Sequence, residues 1–549
     1  MSAKHKPRRI LFAIGVSQLV LGTLLGCLYF EHVRGVIPFG SSANIDHLRD
    51  YYYVKVREAP YGLLAWRTLD KTLHAIGARR LAFLFMLVFL AWLIALLVGR
   101  TKAPRLMAVL VITPLVVGFA AAVFQCYASI SNTGPITVNW ASTQQTIDGF
   151  GAASGGNVPM LTAAQMDFFY TDAGIHLKFI RLDIYPDLAD CNANEGSGHC
   201  VNVSSGATLA AADLANAQAA VARGALVWAS EWSPPGSMKS NRKFLTGGAM
   251  ENGTGNVNFT ALAAIQVSFV NLMTGTYGIP IYAISVQNEP DVSTRYPSCT
   301  WTAQQIHDYV PYLSTALASA GYSSTKIMIA EPGTWENIYA TTAMNDATVA
   351  ADIGILAAHD YSGSAAPLSY NNITTQHQWQ TKVSDLDPYD ASIASGLTYA
   401  TMIHDWLTIA RVNSWQYWLL SGQDEFTDNE GLAGPGGNLA KRAHTFGNFS
   451  RFVQPGWIVV GVTNKTRLLV SAYKSPTSGA AIVVVNNGWT ARNQVFSVGT
   501  TMGASVISWV TSSSSNLATQ TPVAVSSGSF TYTIPASSVV TCSASATAP

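Results

Sequence analysis

Three uncharged apolar runs lie near the start of the chain: Ile10 to Phe30 (21 residues), Leu81 to Val98 (18 residues) and Leu106 to Tyr127 (22 residues). At the rise of an α-helix each is long enough to cross about 30 Å of hydrocarbon. The pattern therefore predicts about three transmembrane helices, near 10–30, 81–98 and 106–127, within a membrane anchor spanning 1–130. The first run has a competing reading as a cleaved secretory signal, because Lys4, Lys6, Arg8 and Arg9 precede it. Leu24-Leu25-Gly26-Cys27 is also loosely like a lipid-attachment box. From residue 131 the long apolar runs stop. Strand-like runs then recur with helical patterns between them: TIDGFGAA, KFIRLDIYP, ALVWAS, IYAISVQNEP, KIMIAEP, ILAAHDY, WQTKVSD and NSWQYWLL. Eight β-then-α units make an α/β fold, a (β/α)8 TIM barrel over 131–447. Leu209–Arg223 and Thr302–Ala320 have the composition and spacing of two of its helices. After Gly447 short alternating strands such as RLLVSAYK and AAIVVVNN, parted by Ser, Thr and Gly, predict an attached all-β sandwich over 448–549. Residues 135–146 are placed to add a strand to it.

Charge sharpens this division. The chain of 549 residues has a net charge of only +1, and 11% of its residues are charged, against about 25% in ordinary soluble domains. The balance is a cancellation, since residues 1–130 hold 15 Lys+Arg and 5 Asp+Glu while residues 131–549 hold 17 and 26. No basic footprint marks the second part, so no nucleic-acid partner is expected. The spans themselves contain no charge, whereas translocation pathways normally do. They read as an anchor in membrane lipid. Basic residues before the first span, and Arg100, Lys102 and Arg105 between the second and third, put the remainder outside by the positive-inside rule. The eight basic residues between Glu31 and Arg80 count the other way. The expectation is a multi-pass cell-membrane protein with the barrel on the extracytoplasmic side. Cys191 and Cys200 close a short polar loop and form a disulfide in an oxidising compartment, or remain two free thiols. No His-x-x-x-His or Cys-x-x-Cys spacing occurs, so neither a metal nor a cofactor is expected.

A barrel carries its chemistry at the carboxyl ends of its strands. The fourth run ends in Gln287-Asn288-Glu289-Pro290, a carboxylate beside an amide. Retaining glycosidases need two carboxyl groups about 5–5.5 Å apart, one as proton donor and one as nucleophile. Glu289 is the natural proton donor; the bland alternative is a solvated acid in an Asn-Glu-Pro turn.

Further motifs follow in order: Ile147-Asp148-Gly149-Phe150-Gly151, Ser233-Pro234-Pro235 with Met238-Lys239, Val286 to Pro290, His359-Asp360-Tyr361, Trp415-Gln416-Tyr417-Trp418, and Gly447-Asn448-Phe449-Ser450 with Arg451-Phe452 and Pro455-Gly456. As an ordered set they resemble glycoside hydrolase family 30, retaining β-glycosidases and endoglycanases with a TIM barrel and attached β-sandwich. The resemblance covers roughly residues 137–545. It implies a β-linked polysaccharide or oligosaccharide as partner, Glu289 as general acid/base, Asn288 on the 2-hydroxyl of the cleaved sugar, and Arg181 near the nucleophile. Trp232, His359, Tyr361 and Trp418 fall where the family lines its substrate cleft.

The resemblance fails at the seventh run. Where the family carries a glutamate nucleophile in a Thr-Glu-Val-Ser context, this chain reads Thr381-Lys382-Val383-Ser384. An ammonium cannot form the glycosyl ester, and beside Glu289 it favours the ionised acid. Three outcomes are open: a glycan-binding relic without turnover, replacement by Asp385 or Asp387 at an inverting distance, or a substitution particular to this chain in a catalytic lineage. The expected function is that of a membrane-anchored glycosidase of endo-β-glycanase type with little or no turnover. The alternative is a non-catalytic glycan-binding pseudoenzyme.

Overall fold

The computed structural model describes residues 134–544 except 156–157, 185–210, 337, 362–364, 374, 384–389 and 423–429. The three apolar runs, the Cys191–Cys200 loop, Asp385 and Asp387 lie outside the described residues.

Strand β1 (Ile136–Thr146) precedes eight parallel strands: β2 (Gly149–Ala153), β3 (Phe179–Ile184), β4 (Leu226–Glu231), β5 (Ile281–Ser285), β6 (Lys326–Ala330), β7 (Ile353–Ala358), β8 (His377–Gln380) and β9 (Ser414–Ser421). Each pairs with the next, and β9 pairs with both β8 and β2, closing the barrel. Every one of the eight runs read from the sequence supplies one of these strands. Helices Ala211–Val221 and Ala303–Ser319 occupy the two stretches read as helical. The second starts with a capping box in which Thr302 and Gln305 exchange side-chain to backbone hydrogen bonds.

Alternation along the strands sorts two cores. On β3, Ile180, Leu182 and Ile184 join the large apolar core that includes the helices, while Phe179 joins Trp228, Met328, Ile355 and Trp379 in a separate cluster inside the barrel. Gly151 is needed here, because a Cβ at that position would lie 2.7 Å from the Phe179 Cβ and 2.8 Å from the Gln416 Oε1. Among the described residues one helical stretch, Thr254–Thr276, is long and apolar enough to cross a membrane. Its Phe259, Leu262, Phe269 and Val270 are buried in the barrel's outer core.

The C-terminal strands do not form two separate sheets, as the expected sandwich would. They make one ten-stranded, mostly antiparallel sheet in the order Ala518–Thr519, Ser505–Thr511, Ser538–Ser543, Ala480–Asn486, Leu469–Lys474, Ile458–Thr463, β1, Arg492–Ser497 and Ser529–Ile534, with Val523–Ala524 paired to Ser505–Thr511. Ile136, Val460, Ile482, Phe496, Phe530 and Val540 come from across this order yet share one core. The sheet therefore curls over itself. β1 is part of it, paired antiparallel with Ile458–Thr463 and parallel with Arg492–Ser497. Helix Lys441–Ser450 ties the sheet to the barrel. A Cβ on its Gly447 would meet Ile175 at 2.5 Å and Leu517 at 2.7 Å. Its Asn448 amide donates to the Trp509 carbonyl at 3.1 Å and the Thr541 hydroxyl at 3.0 Å.

Candidate active site

Glu289 stands four residues past the end of β5, and Glu331 directly follows β6. Each is followed by a proline, and each has a left-handed backbone, with φ of 49° and 57°. Such conformations cost roughly 1 kcal/mol or more for a non-glycine residue and persist only where neighbours hold them. Here the holding groups are backbone: Glu289 N–H donates to the Glu331 carbonyl at 2.9 Å, and Glu331 N–H to the Ala357 carbonyl at 2.9 Å.

The Glu289 carboxylate is buried and surrounded by donors. Tyr361 Oη donates to Oε1 at 2.8 Å and Tyr296 Oη to Oε2 at 3.2 Å. His359 Nδ1 lies 3.1 Å and Lys382 Nζ 3.4 Å from Oε1. On its far side His359 Nε2 is 3.2 Å from Glu331 Oε1. That same oxygen receives Arg181 Nη2 at 3.0 Å, and Ser230 Oγ donates to Oε2 at 2.6 Å. Arg181 Nη2 also donates to Asn288 Oδ1 at 2.6 Å. Above these groups, Trp232 and Trp418 pack with ring centres 5.8 Å apart, and Trp232 Nε1 donates to Asp183 Oδ1 at 2.8 Å.

Lys382 reaches this cluster from two residues beyond β8. Its Nζ sits 3.9 Å from the Trp418 ring centre, 5.2 Å from Trp232 and 5.4 Å from Tyr361. Burial alone would push the Glu289 carboxyl up, but Lys382, His359 and Tyr361 outweigh it and hold the acid well below the usual carboxylate range. Glu331 follows the same rule: burial raises it, and Arg181, His359 and Ser230 bring it below its ordinary value. Burial wins at Asp183, which is raised despite Arg181, Trp232 and Lys382. The site thus keeps two ionised glutamates against Arg181 and Lys382.

All eight residues singled out from the sequence, Arg181, Trp232, Asn288, Glu289, His359, Tyr361, Lys382 and Trp418, meet here. Three neighbours were missed. Glu331 repeats the strand-end Glu-Pro of Glu289 and could have been found by that repetition. Asp183 is two residues along β3 from Arg181 on the same face, a period-two signal. Tyr296 comes from the loop after β5 and carried no sequence signal. That loop is fastened by Lys239, whose Nζ donates to Ser233 Oγ at 2.9 Å and to the carbonyls of Phe244 and Ser298 at 2.8 and 2.7 Å. The Ser-Pro-Pro and Met-Lys motif is therefore a brace for the site's wall. Among the described residues no group of three or more His, Cys, Asp or Glu side chains is placed to hold a metal.

A closed (β/α)8 barrel with strand-end glutamates, an asparagine and indoles gathered at the carboxyl ends is the architecture on which glycosidases set their carboxylates. Comparison with known proteins makes this specific. The profile described as "Glycosyl hydrolase family 30 TIM-barrel domain" matches residues 147–384. The family 30 subfamily 8 xylanase Xyn30A of Clostridium acetobutylicum is 31% identical, with TM-score 0.63, over 74% of this chain and 99% of its own. A family 30 endoxylanase from Clostridium papyrosolvens C71 is 30% identical, with TM-score 0.60, over 75% and 99%. Glucuronoxylanase XynC of Bacillus subtilis (strain 168) is 29% identical over 422 residues, 74% of this chain and 90% of its own. The chain belongs to glycoside hydrolase family 30.

Proposed function

We propose that the barrel recognises a β-linked polysaccharide, of the xylan type named for its relatives, and that Lys382 leaves it little or no turnover as a glycosidase. In this reading Glu289 stands as the general acid/base, Asn288 and Arg181 hold sugar hydroxyls, and Trp232, His359, Tyr361 and Trp418 line the binding site. The region before residue 131 anchors the domain to the cell membrane, with the barrel on the extracytoplasmic side.

One observation carries the reading: Lys382 Nζ lies 3.4 Å from Glu289 Oε1. Double displacement requires a carboxylate at the second position and a proton on the first. The ammonium supplies neither. It offers no oxygen to the anomeric carbon, and it keeps ionised the group that must protonate the leaving oxygen. The recognition groups remain assembled around it, which favours binding over hydrolysis.

The test is reducing-end release from β-xylans, β-galactans and β-glucans by the native chain and by Lys382→Glu, alongside binding of the same glycans. Binding by both, with release only by the variant, is the expected result. A gain of about a thousandfold or more corresponds to some 4 kcal/mol of transition-state stabilisation. Strong release by the native chain overturns the blocked-site reading, and absence of both binding and release in the folded variant overturns the glycan reading.

A further inference from the structure

The side chain that removes one chemistry from this site carries another. The Lys382 side chain is only 8% exposed. Burial lowers it from the ordinary lysine value; Glu289 opposes that, Arg181 adds to it, and Asp183 opposes it more weakly. A desolvated amine beside a proton-transfer group is the setting in which lysine attacks carbonyls. Glu289 is that group, at 3.4 Å, and Tyr361 Oη is hydrogen-bonded to the same carboxylate oxygen at 2.8 Å.

We propose that Lys382 is a carbonyl-capturing nucleophile, whose ε-amine condenses with the aldehyde of a short hydroxyaldehyde or an open-chain sugar to form an iminium at Nζ. The ammonium passes a proton to the Glu289 carboxylate. The freed amine forms an N–C bond to the carbonyl carbon while Glu289 returns that proton to the carbonyl oxygen, giving a carbinolamine still protonated on nitrogen. A second proton moves from nitrogen through Glu289 to the hydroxyl, the C–O bond breaks, and water leaves as the iminium forms. One ammonium and one aldehyde become one iminium and one water, with charge conserved and no oxidant or reductant required.

Conservation of charge is the reason this site suits the step. The Glu289 carboxylate and the faces of Trp418, Trp232 and Tyr361 that stabilise the ammonium equally stabilise the iminium. The hydroxyaldehyde preference comes from neighbouring polar atoms. Asn288 Nδ2, Arg181 Nη1 and Asp183 Oδ2 are buried with no hydrogen-bond partner among the described residues, two donors and an acceptor for ligand hydroxyls.

The full chain is incubated with glycolaldehyde and sodium cyanoborohydride, which converts an iminium into a stable secondary amine, and labelled peptides are timed by mass spectrometry. Lys382 is expected to label about a hundredfold faster than the exposed Lys243 and Lys465, the lower end of what a positioned acid supplies. Glu289→Gln, with folding checked by thermal unfolding, is expected to slow Lys382 without changing the two exposed lysines. A purely structural Lys382 would not show that split. Labelling of Lys382 no faster than Lys243 and Lys465, or a rate unchanged in Glu289→Gln, overturns the proposal. Glycan binding is a separate readout, so its failure with labelling intact counts against the glycan reading alone.

Discussion

Near the amino ends of the barrel strands, Phe179, Trp228 and Trp379 fill the interior with rings whose centres lie 4.6 Å (Phe179–Trp379) and 6.3 Å (Trp228–Trp379) apart. Two and four residues further along β3, and two along β4, the inward positions are Arg181, Asp183 and Ser230; Arg181 and Ser230 form a polar network with Glu331 and His359, and Asp183 accepts from Trp232 Nε1. Both levels are equally buried. The lower one gains by removing apolar surface from water. The upper one loses solvation for every charge and recovers it through ion pairs and hydrogen bonds, so removing a partner there strands a buried charge. Arg181 joins the levels, its guanidinium 5.1 Å from the Trp228 ring centre and its Nη2 on Glu331. The same strands thus supply a plug at one end and the candidate site at the other.

The largest effect on stability is expected at the plug. Trp379→Ala removes a fully buried ring and its 2.6 Å hydrogen bond to Asp148. The expected loss is about 3–5 kcal/mol in urea unfolding, with little change between neutral and mildly acidic solution. A much smaller loss would mean that the plug is not what holds the barrel.

Glu331→Gln is expected to cost less, about 1–3 kcal/mol at neutral pH, because a charge-assisted network loses its charge but keeps its shape. Its pH dependence is the sharper readout. The folded-state pKa of Glu331 lies below its ordinary value, so its contribution is complete above the ordinary carboxylate range and declines as pH falls through the folded-state value. The gap between native chain and variant should therefore narrow on acidification, whereas the Trp379→Ala gap should not. Equal pH dependence for both variants would erase the distinction between the two levels.

The difference between the levels also explains what could be read from the sequence. The plug and the outer core follow period two, so all eight strand runs were legible, including ILAAHDY, which has no charge before His359. The site was legible where a residue directly follows a strand, as with His359, or where a motif marked it, as with Glu289 in Gln287-Asn288-Glu289-Pro290 and with Trp418. Lys382 stood out only because the family pattern demands a carboxylate there. Its contact with Trp418 joins β8 to β9 through space, and Tyr296 arrives on a loop braced by Lys239, relations that no local pattern encodes. The curled sheet shows the same limit. Alternating strands were evident after Gly447, but their closure into one ten-stranded sheet depends on β1, more than 300 residues earlier in the chain.

The Lys382 ammonium holds Glu289 ionised at the position where an acid would have to carry a proton. Carbon-13 NMR of the glutamate carboxyls, comparing the native chain with Lys382→Met and assigning Glu289 by Glu289→Gln, measures this directly. Glu289 is expected to stay ionised in the native chain from about pH 4 to pH 8, well through the ordinary range. In Lys382→Met, burial is opposed only by His359 and the tyrosines, and the carboxyl should take up its proton at a clearly higher pH. A native Glu289 that titrates at or above the usual glutamate value, or one that titrates identically in the two proteins, would contradict the account.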